Sequence, residues 1–331
     1  MKLIFQFSGE NLPLAAAEAA AVTDIRKHGI DGRLLVANTA DAKAIRDAAK
    51  RLGYTSSICR VLFTANTKTL AAKMAGYKWN SAYKESFAVR ISSHAAKEGN
   101  HSTKETWLNE KDLAAIIWKK LKKPIVNLEA PKTAVEIIIT PKTVYCCLKL
   151  HDMKHDFEKR KPHLRPGFSP VSLHPKLARA IVNLTGIRKG SLCDPFCGTG
   201  GLLIEAGLMG FKPVGYDIDD EMLDKAKANL LHCGIENFVL SKQDATLIKH
   251  KYDYIATDLP YGRSSKATEE LNALYLSFLQ NLKRIMKKRA VVVFPDTAPY
   301  KALIKKAGLK LVGEHTHYIH KTLSKKIVVV E

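Results

Sequence analysis

One strand-to-helix junction constrains the fold more than any other stretch. Asp194-Pro195-Phe196-Cys197-Gly198-Thr199-Gly200-Gly201 follows a short apolar run at 192–194 and opens a helix expected over 202–208. Glycines in such a loop let a ligand approach the backbone and meet a helix N-terminus. Strands and helices then alternate. The pattern predicts a strand at 213–217, a helix at 221–233, strands at 238–241 and 252–257, and a helix at 269–287. A strand at 290–294, a short helix at 297–307 and two closing strands at 313–320 and 325–330 follow. A helix over 175–184 precedes them all. Alternating βα units predict an α/β fold, a mostly parallel sheet with helices on both faces. The last two strands are close enough for an antiparallel hairpin.

The first half reads differently. A strand at 2–7 leads to a helix capped by Asn11, with Pro13 in its first turn, that runs to Lys27 and stops at Gly29. A strand at 33–37, a helix at 40–52 and strands around 58–63 complete a small α+β unit, residues 1–64. A second unit, 65–150, has helices at 67–75 and 107–121 and strands at 87–91, 135–140 and 144–150. Its second helix places Leu108, Leu113, Ile116 and Ile117 on one face. Residues 151–170 read as a basic linker bearing Lys154, Lys159, Arg160, Lys161 and Arg165, broken by Pro162, Pro166, Gly167 and Pro170. Such a segment can track a phosphate backbone. The 331 residues fit two domains or slightly more, at ~150 residues each.

Lys and Arg outnumber Asp and Glu by 53 to 32, a formal charge of +21, and they gather in blocks. That excess implies a polyanionic partner, most simply nucleic acid. Two blocks, Lys119 to Lys123 and Lys283 to Arg289, end helices, where matching to the helix dipole explains them equally well. The six cysteines form no C-x-x-C pair and no zinc-finger spacing, so buried thiols in a reducing cytoplasm are expected and a metal is not. No apolar run approaches the ~18 residues of a membrane span. Gln6, Glu10 and Glu18 break any signal-peptide core. A soluble, cytoplasmic monomer is the expectation.

The glycine loop is not a dinucleotide fingerprint, because its third glycine position falls on Leu203. A P-loop Lys-Ser/Thr is absent as well. The acidic residues point elsewhere. Asp217 ends the next strand, where a carboxylate can grip both ribose hydroxyls. Asp244 follows the third strand and can accept from an adenine amine, and Asp194 can hold an α-amino group. An amine, a ribose diol and an adenine describe S-adenosylmethionine. Each acid alone reads as a helix cap or turn former; four at the ends of successive strands are harder to dismiss. The fourth belongs to Asp258-Leu259-Pro260-Tyr261, which follows the apolar Tyr254-Ile255-Ala256. A carboxylate, a carbonyl aimed by proline and an aromatic ring suit a flat base with an exocyclic amine.

Residues 171–331 resemble the Rossmann-fold S-adenosylmethionine-dependent methyltransferases that act on exocyclic amines. Asp194 to Gly201 is similar to the cofactor loop of their RNA and DNA members, and Asp258-Leu259-Pro260-Tyr261 matches the amine-methylating motif. The segment from Arg165 to Ala178, together with the preceding half, resembles the archaeal tRNA guanosine-10 N2-methyltransferases. In that family a ferredoxin-like domain and a THUMP domain, which binds the tRNA acceptor end, precede the catalytic domain. The resemblance is sharp from about 160 to 263 and diffuse before it. It implies a ferredoxin-like domain at 1–64, a THUMP domain at 65–150, a linker at 151–170, S-adenosylmethionine as cofactor and tRNA as partner. Asp258, Pro260 and Tyr261 are then the catalytic residues. Asp194, Gly198, Gly200, Asp217, Asp244 and Ser172 would bind cofactor; Leu259, Arg263, Lys159, Arg160 and Lys161 would bind substrate. The motif does not distinguish guanosine 10 from guanosine 6, another RNA guanine, or adenine and cytosine in DNA. A catalytically silent RNA-binding protein and a dinucleotide-dependent oxidoreductase are rival readings. Whether one or two methyls are added is left open.

Overall fold

The computed structural model describes residues 1–38, 42–94, 109–170, 172–261, 265–320 and 323–331. Leu108, Gly262 and Arg263 therefore lie outside the described residues. The chain forms two compact units: residues 1–10, 25–49 and 55–154, and residues 11–24, 50–54 and 155–331.

The first unit contains β1 (Lys2–Phe7), while α1 (Leu12–Thr23) belongs to the second. The first continues with β2 (His28–Asp31), β3 (Leu34–Asn38), α2 (Ala42–Ala49), β4 (Thr55–Ala65), α3 (Leu70–Gly76), β5 (Phe87–Ser93), α4 (Glu110–Trp118), β6 (Thr133–Ile139) and β7 (Val144–Asp152). The strands form one seven-stranded sheet in the order β2-β3-β1-β4-β7-β6-β5. The boundary expected at 64/65 falls near the end of β4, which pairs with β1 along its first half and with β7 along most of its length. One strand thus joins what reads as two α+β patterns. Trp79, Phe87, Leu113 and Ile117 are buried in a core with Val135 and Ile137. Asn109 caps α4 by accepting from the Asp112 amide at 2.7 Å. The strand β2 was not expected: it is a mostly exposed edge strand, so its sequence shows no apolar alternation.

The second unit adds α5 (Pro175–Leu184), β8 (Ser191–Asp194), α6 (Gly201–Leu208), β9 (Lys212–Asp217), α7 (Asp220–His232), β10 (Val239–Lys242) and β11 (Tyr252–Asp258). Next come α8 (Ser265–Ile285), β12 (Met286–Pro295), α9 (Tyr300–Ala307), β13 (Leu311–His320) and β14 (Leu323–Val330). The sheet order is β10-β9-β8-β11-β12-β14-β13. The first five strands are parallel, and β14 runs antiparallel to both neighbours. Ala290 to Phe294 are all fully buried, as expected of a strand covered on both faces.

Two segments depart from the sequence reading. The helix α1 ends at Thr23, with Asp24 in the left-handed region, rather than at Lys27. It packs on α5, where fully buried Glu18 accepts from the amides of Gly53 (2.8 Å) and Tyr54 (2.9 Å) and from Asn183 Nδ2 (2.7 Å). The catalytic half therefore borrows a helix from the N-terminal region. The expected linker is likewise part of this unit from His155 onward. Its Phe157 is buried, and two short 3-10 turns, Glu158–Arg160 and Pro162–Leu164, replace an extended run. Among the described residues, no helix is long and apolar enough to cross a membrane.

Candidate active site

The strand order reverses between β8 and β11, which pair directly. Crevices at such a reversal, beyond the strands' carboxyl ends, are where open α/β sheets bind ligands. Asp194 ends β8 and Asp258 ends β11, so two carboxylates meet there. A cavity of about 410 Å³ opens beside them, of a size that suits a small-molecule ligand. Asp194, Gly198, Asp217, Asp244 and Ser172 line it, together with Asp258, Leu259, Pro260 and Tyr261.

The loop after β8 is held from three sides. Gly198 (φ +48°) and Gly200 (φ +82°) take conformations that a side chain would strain. The Gly198 amide donates to Asp217 Oδ2 at 2.8 Å, and the Asp219 amide donates to Oδ1 at 3.1 Å. The Asp217 carboxylate is thereby oriented before any ligand arrives. From α7, buried Asn229 donates to the carbonyls of Thr199 and Gly167, both at 2.9 Å, and accepts from the Gly167 amide at 2.8 Å. Gly167 must be glycine, since a Cβ there would stand 2.7–2.8 Å from Lys225 backbone atoms. The Ser172 and Thr199 hydroxyls bond at 2.9 Å. Leu203 fits where a dinucleotide fold needs glycine because the space is made on the strand. A Cβ on Gly215 would lie 2.5 Å from Leu203 Cδ1.

Asp194 is only 2% exposed; its Oδ1 accepts from Thr257 Oγ1 at 2.7 Å and from the Phe196 amide at 3.2 Å. Burial pushes its pKa up to about 7; those two hydrogen bonds oppose the shift, and the charges of Asp258 and Asp217 add to it. An ammonium group would relieve that carboxylate. Asp244 stands exposed at the rim, with Oδ1 accepting from the Thr246 amide and hydroxyl at 2.7 Å each. Ile218 and Met222 add apolar wall that the sequence reading missed. An ammonium site, an oriented carboxylate for a diol and apolar walls together fit S-adenosylmethionine.

At the end of β11, Asp258 Oδ2 meets Lys325 Nζ at 2.5 Å. Lys325 lies on β14, is 2% exposed, and also sits 4.8 Å from the centroid of the Tyr261 ring. Burial raises the Asp258 pKa, and Lys325 opposes the rise. The Tyr275 hydroxyl, from α8, donates to the Pro260 carbonyl. The Leu259 amide donates to Val293 O at 3.0 Å, while its side chain is buried, so only its backbone can face a ligand. Sequence reasoning missed Lys325, Tyr275, Thr257 and Asn229. Lysine near the start of a strand reads as solvated, and the other three satisfy ordinary strand or helix patterns.

The basic segment needs correction. Arg160 is not presented to an outside phosphate. Its Nε and Nη2 donate to the two oxygens of fully buried Glu205 at 2.6 and 3.1 Å, and Arg179 Nε donates to Oε2 at 2.8 Å. Both guanidinium groups also lie over the Phe157 ring, at 4.8 and 5.4 Å. Its charge is spent neutralising a buried carboxylate. Lys159 remains exposed beside Asp156, and Lys161 pairs with Glu158.

The comparisons agree with this site. Residues 162–325 match the UPF0020 family, described as RMKL-like, methyltransferase domain. The fold is similar to that of TrmN from Thermus thermophilus, with a TM-score of 0.51 at 19% identity over 100% of this chain and 99% of that one. The tRNA (guanine(10)-N2)-dimethyltransferase of Methanothermobacter thermautotrophicus is 32% identical over 100% of this chain and 99% of its own length. That of Pyrococcus abyssi is 30% identical over 96% of both. With end-to-end similarity to such relatives and a cavity of matching chemistry, this chain belongs to the tRNA (guanine(10)-N2)-dimethyltransferase family.

Proposed function

We propose that this protein uses S-adenosylmethionine to methylate the exocyclic N2 amine of guanosine 10 in tRNA, and does so twice. The observation that carries this reading is one cavity wall on which Asp258, Pro260 and Tyr261 adjoin Asp194, Asp217 and the Gly198 loop.

S-adenosylmethionine, when bound, supplies a methyl group already activated on a sulfonium. The protein's task is positioning and charge matching. Asp194 meets the ammonium, Asp217 the ribose hydroxyls and Asp244 the adenine amine. The N2 lone pair of guanine is delocalised into its ring. Asp258 accepts one N2 hydrogen and a main-chain carbonyl accepts the other, which localises the lone pair. We assign that carbonyl to Leu259, because the Pro260 carbonyl already accepts from Tyr275. Tyr261 stacks on the base. As N2 gains the methyl group it holds one proton in excess, and Asp258 takes it, leaving a neutral methylated amine. In the second transfer the single remaining N2 hydrogen is the one Asp258 accepts.

Guanosine 10 must leave its stack to reach this cavity, at a cost of a few kcal/mol. Contacts elsewhere on the tRNA offset that. We assign them to the first unit as a THUMP-type binder of the acceptor end. Trp118, Lys119, Lys120, Lys122 and Lys123 are all exposed on it. Lys159 and Lys161 would meet phosphate. Six free cysteines, five of them buried, fit work in the reducing cytoplasm.

The test is incubation with labelled S-adenosylmethionine and an unmodified tRNA transcript, followed by nucleoside mass spectrometry with site mapping. Dimethylated guanosine at position 10 is expected. Product mapped to guanosine 6 would move the target position, and no product on tRNA would overturn the reading.

A further inference from the structure

We infer that Lys325 is a positioning residue for methyl transfer: from behind the cavity it holds the Asp258 carboxylate and the Tyr261 ring in one arrangement. The inference rests on the proposed amine methylation. Lys325 starts the inward stretch of β14, opposite Pro295 of β12, while Asp258 pairs with Val293 on the other side of β12. Lys325 therefore reaches past β12 to the end of β11. Neighbouring strands lie about 4.8 Å apart, so only a side chain as long as lysine or arginine bridges that span.

The contact could be a block rather than a support, because Nζ touches the two groups the target base needs. Its burial argues for support. Among the described residues that line the cavity, Asp258 and Tyr261 are present and Lys325 is not. The amine bonds Oδ2 at 2.5 Å, which leaves Oδ1 for the substrate hydrogen. It covers Tyr261 at 4.8 Å from the ring centroid, so a base stacks on the remaining face. A buried carboxylate left without such a cation would be held largely protonated, and a protonated Asp258 cannot take the proton from N2.

The groups facing Asp258 divide by sign. Lys325 from β14 favours its ionised form, and burial opposes it. Asp194 from β8 and the Tyr275 hydroxyl from α8 both feel the Asp258 charge as a repulsion against their own ionisation. Lys325 is thus the group that keeps Asp258 usable near neutral pH.

The test is the pH profile of single-turnover methyl transfer by the full-length protein at saturating S-adenosylmethionine and tRNA, with cofactor affinity measured separately by calorimetry. Lys325→Met should move the acid limb of the profile upward by about one unit or more. The rate at pH 7 should fall about tenfold, with recovery toward pH 9. Cofactor affinity should stay within about threefold of wild type, and Lys325→Arg should restore the acid limb. Should the Met variant fail to fold, Lys325→Gln, which still donates to Asp258, gives the same reading. An acid limb unmoved in the folded neutral variant would overturn the inference while leaving the wild-type reaction intact. A wild-type enzyme inactive on tRNA would instead overturn the function on which it rests.

Discussion

The ends of β8 and β11 carry the same residue in the same place and give it opposite surroundings. Asp194 is buried against a hydroxyl and a backbone amide, both neutral, and its pKa rises to about 7. Asp258 is buried against an ammonium from its own chain. A carboxylate with neutral partners is completed by a cation brought from outside. One with a resident cation is free to handle a neutral amine and its proton. Glu18 is the control: equally buried and hydrogen-bonded to two amides and Asn183, it lines no ligand cavity and joins α1 to α5. Burial of a carboxylate alone does not make a site; the missing or supplied counter-charge does.

The sharpest break in the comparison is Asp258→Ala. Methyl transfer should fall about 10²–10⁴-fold, the range of a lost general base. Calorimetry should find cofactor affinity little changed; equal loss of both would erase the distinction between the two acids. Asp194→Asn should do the reverse, weakening S-adenosylmethionine about 10- to 100-fold by removing a charge-assisted bond. Its pH dependence carries a sign. In the free protein the Asp194 carboxyl sits near 7, above its unfolded value near 3.9. The stability this brings is present at low pH and is lost as pH rises toward 7. The ligand-free wild type should therefore lose melting temperature between pH 5 and pH 8 relative to the Asn variant. Wild-type cofactor affinity should fall about tenfold per pH unit below pH 7.

Glu18→Ala tests the control. It strands two buried amides and Asn183, so denaturant melts should show a loss of about 2–4 kcal/mol with the chemistry of folded enzyme preserved. By the same contacts, residues 151–331 without α1 should not fold into an active unit. The smallest effect is expected at Gly215→Ala, which crowds Leu203 and Leu240 and should cost about 1–3 kcal/mol. Adding Leu203→Ala should recover much of it; no recovery would mean that strand β9 needs glycine for another reason.

The α/β half was legible because each of its strands and helices carries its own period, and the ends of those strands fall where the acidic residues stand. The glycine loop and Asp258-Leu259-Pro260-Tyr261 could be read as neighbours because strand order alone brings them together. The basic segment misled because composition counts charges without their partners, and the partner of Arg160 is Glu205, one helix away. The split at 64/65 misled because β4 is a single strand whose two edges serve different neighbours. Asn229, Thr257 and Tyr275 left no trace, since each fits its local pattern whether or not it holds the site.

The sequence by itself determined the parallel sheet, the cofactor loop and the amine motif, because those rest on local periodicity and on residues adjacent in the chain. Only the tertiary structure decided which buried acid has a cation, which arginine is spent and where α1 belongs. Lys325 meets Asp258 across 67 residues, Glu18 meets Asn183 across 165, and Arg160 meets Glu205 across 45. Pairings at such separations depend on strand order and packing, which no local pattern encodes.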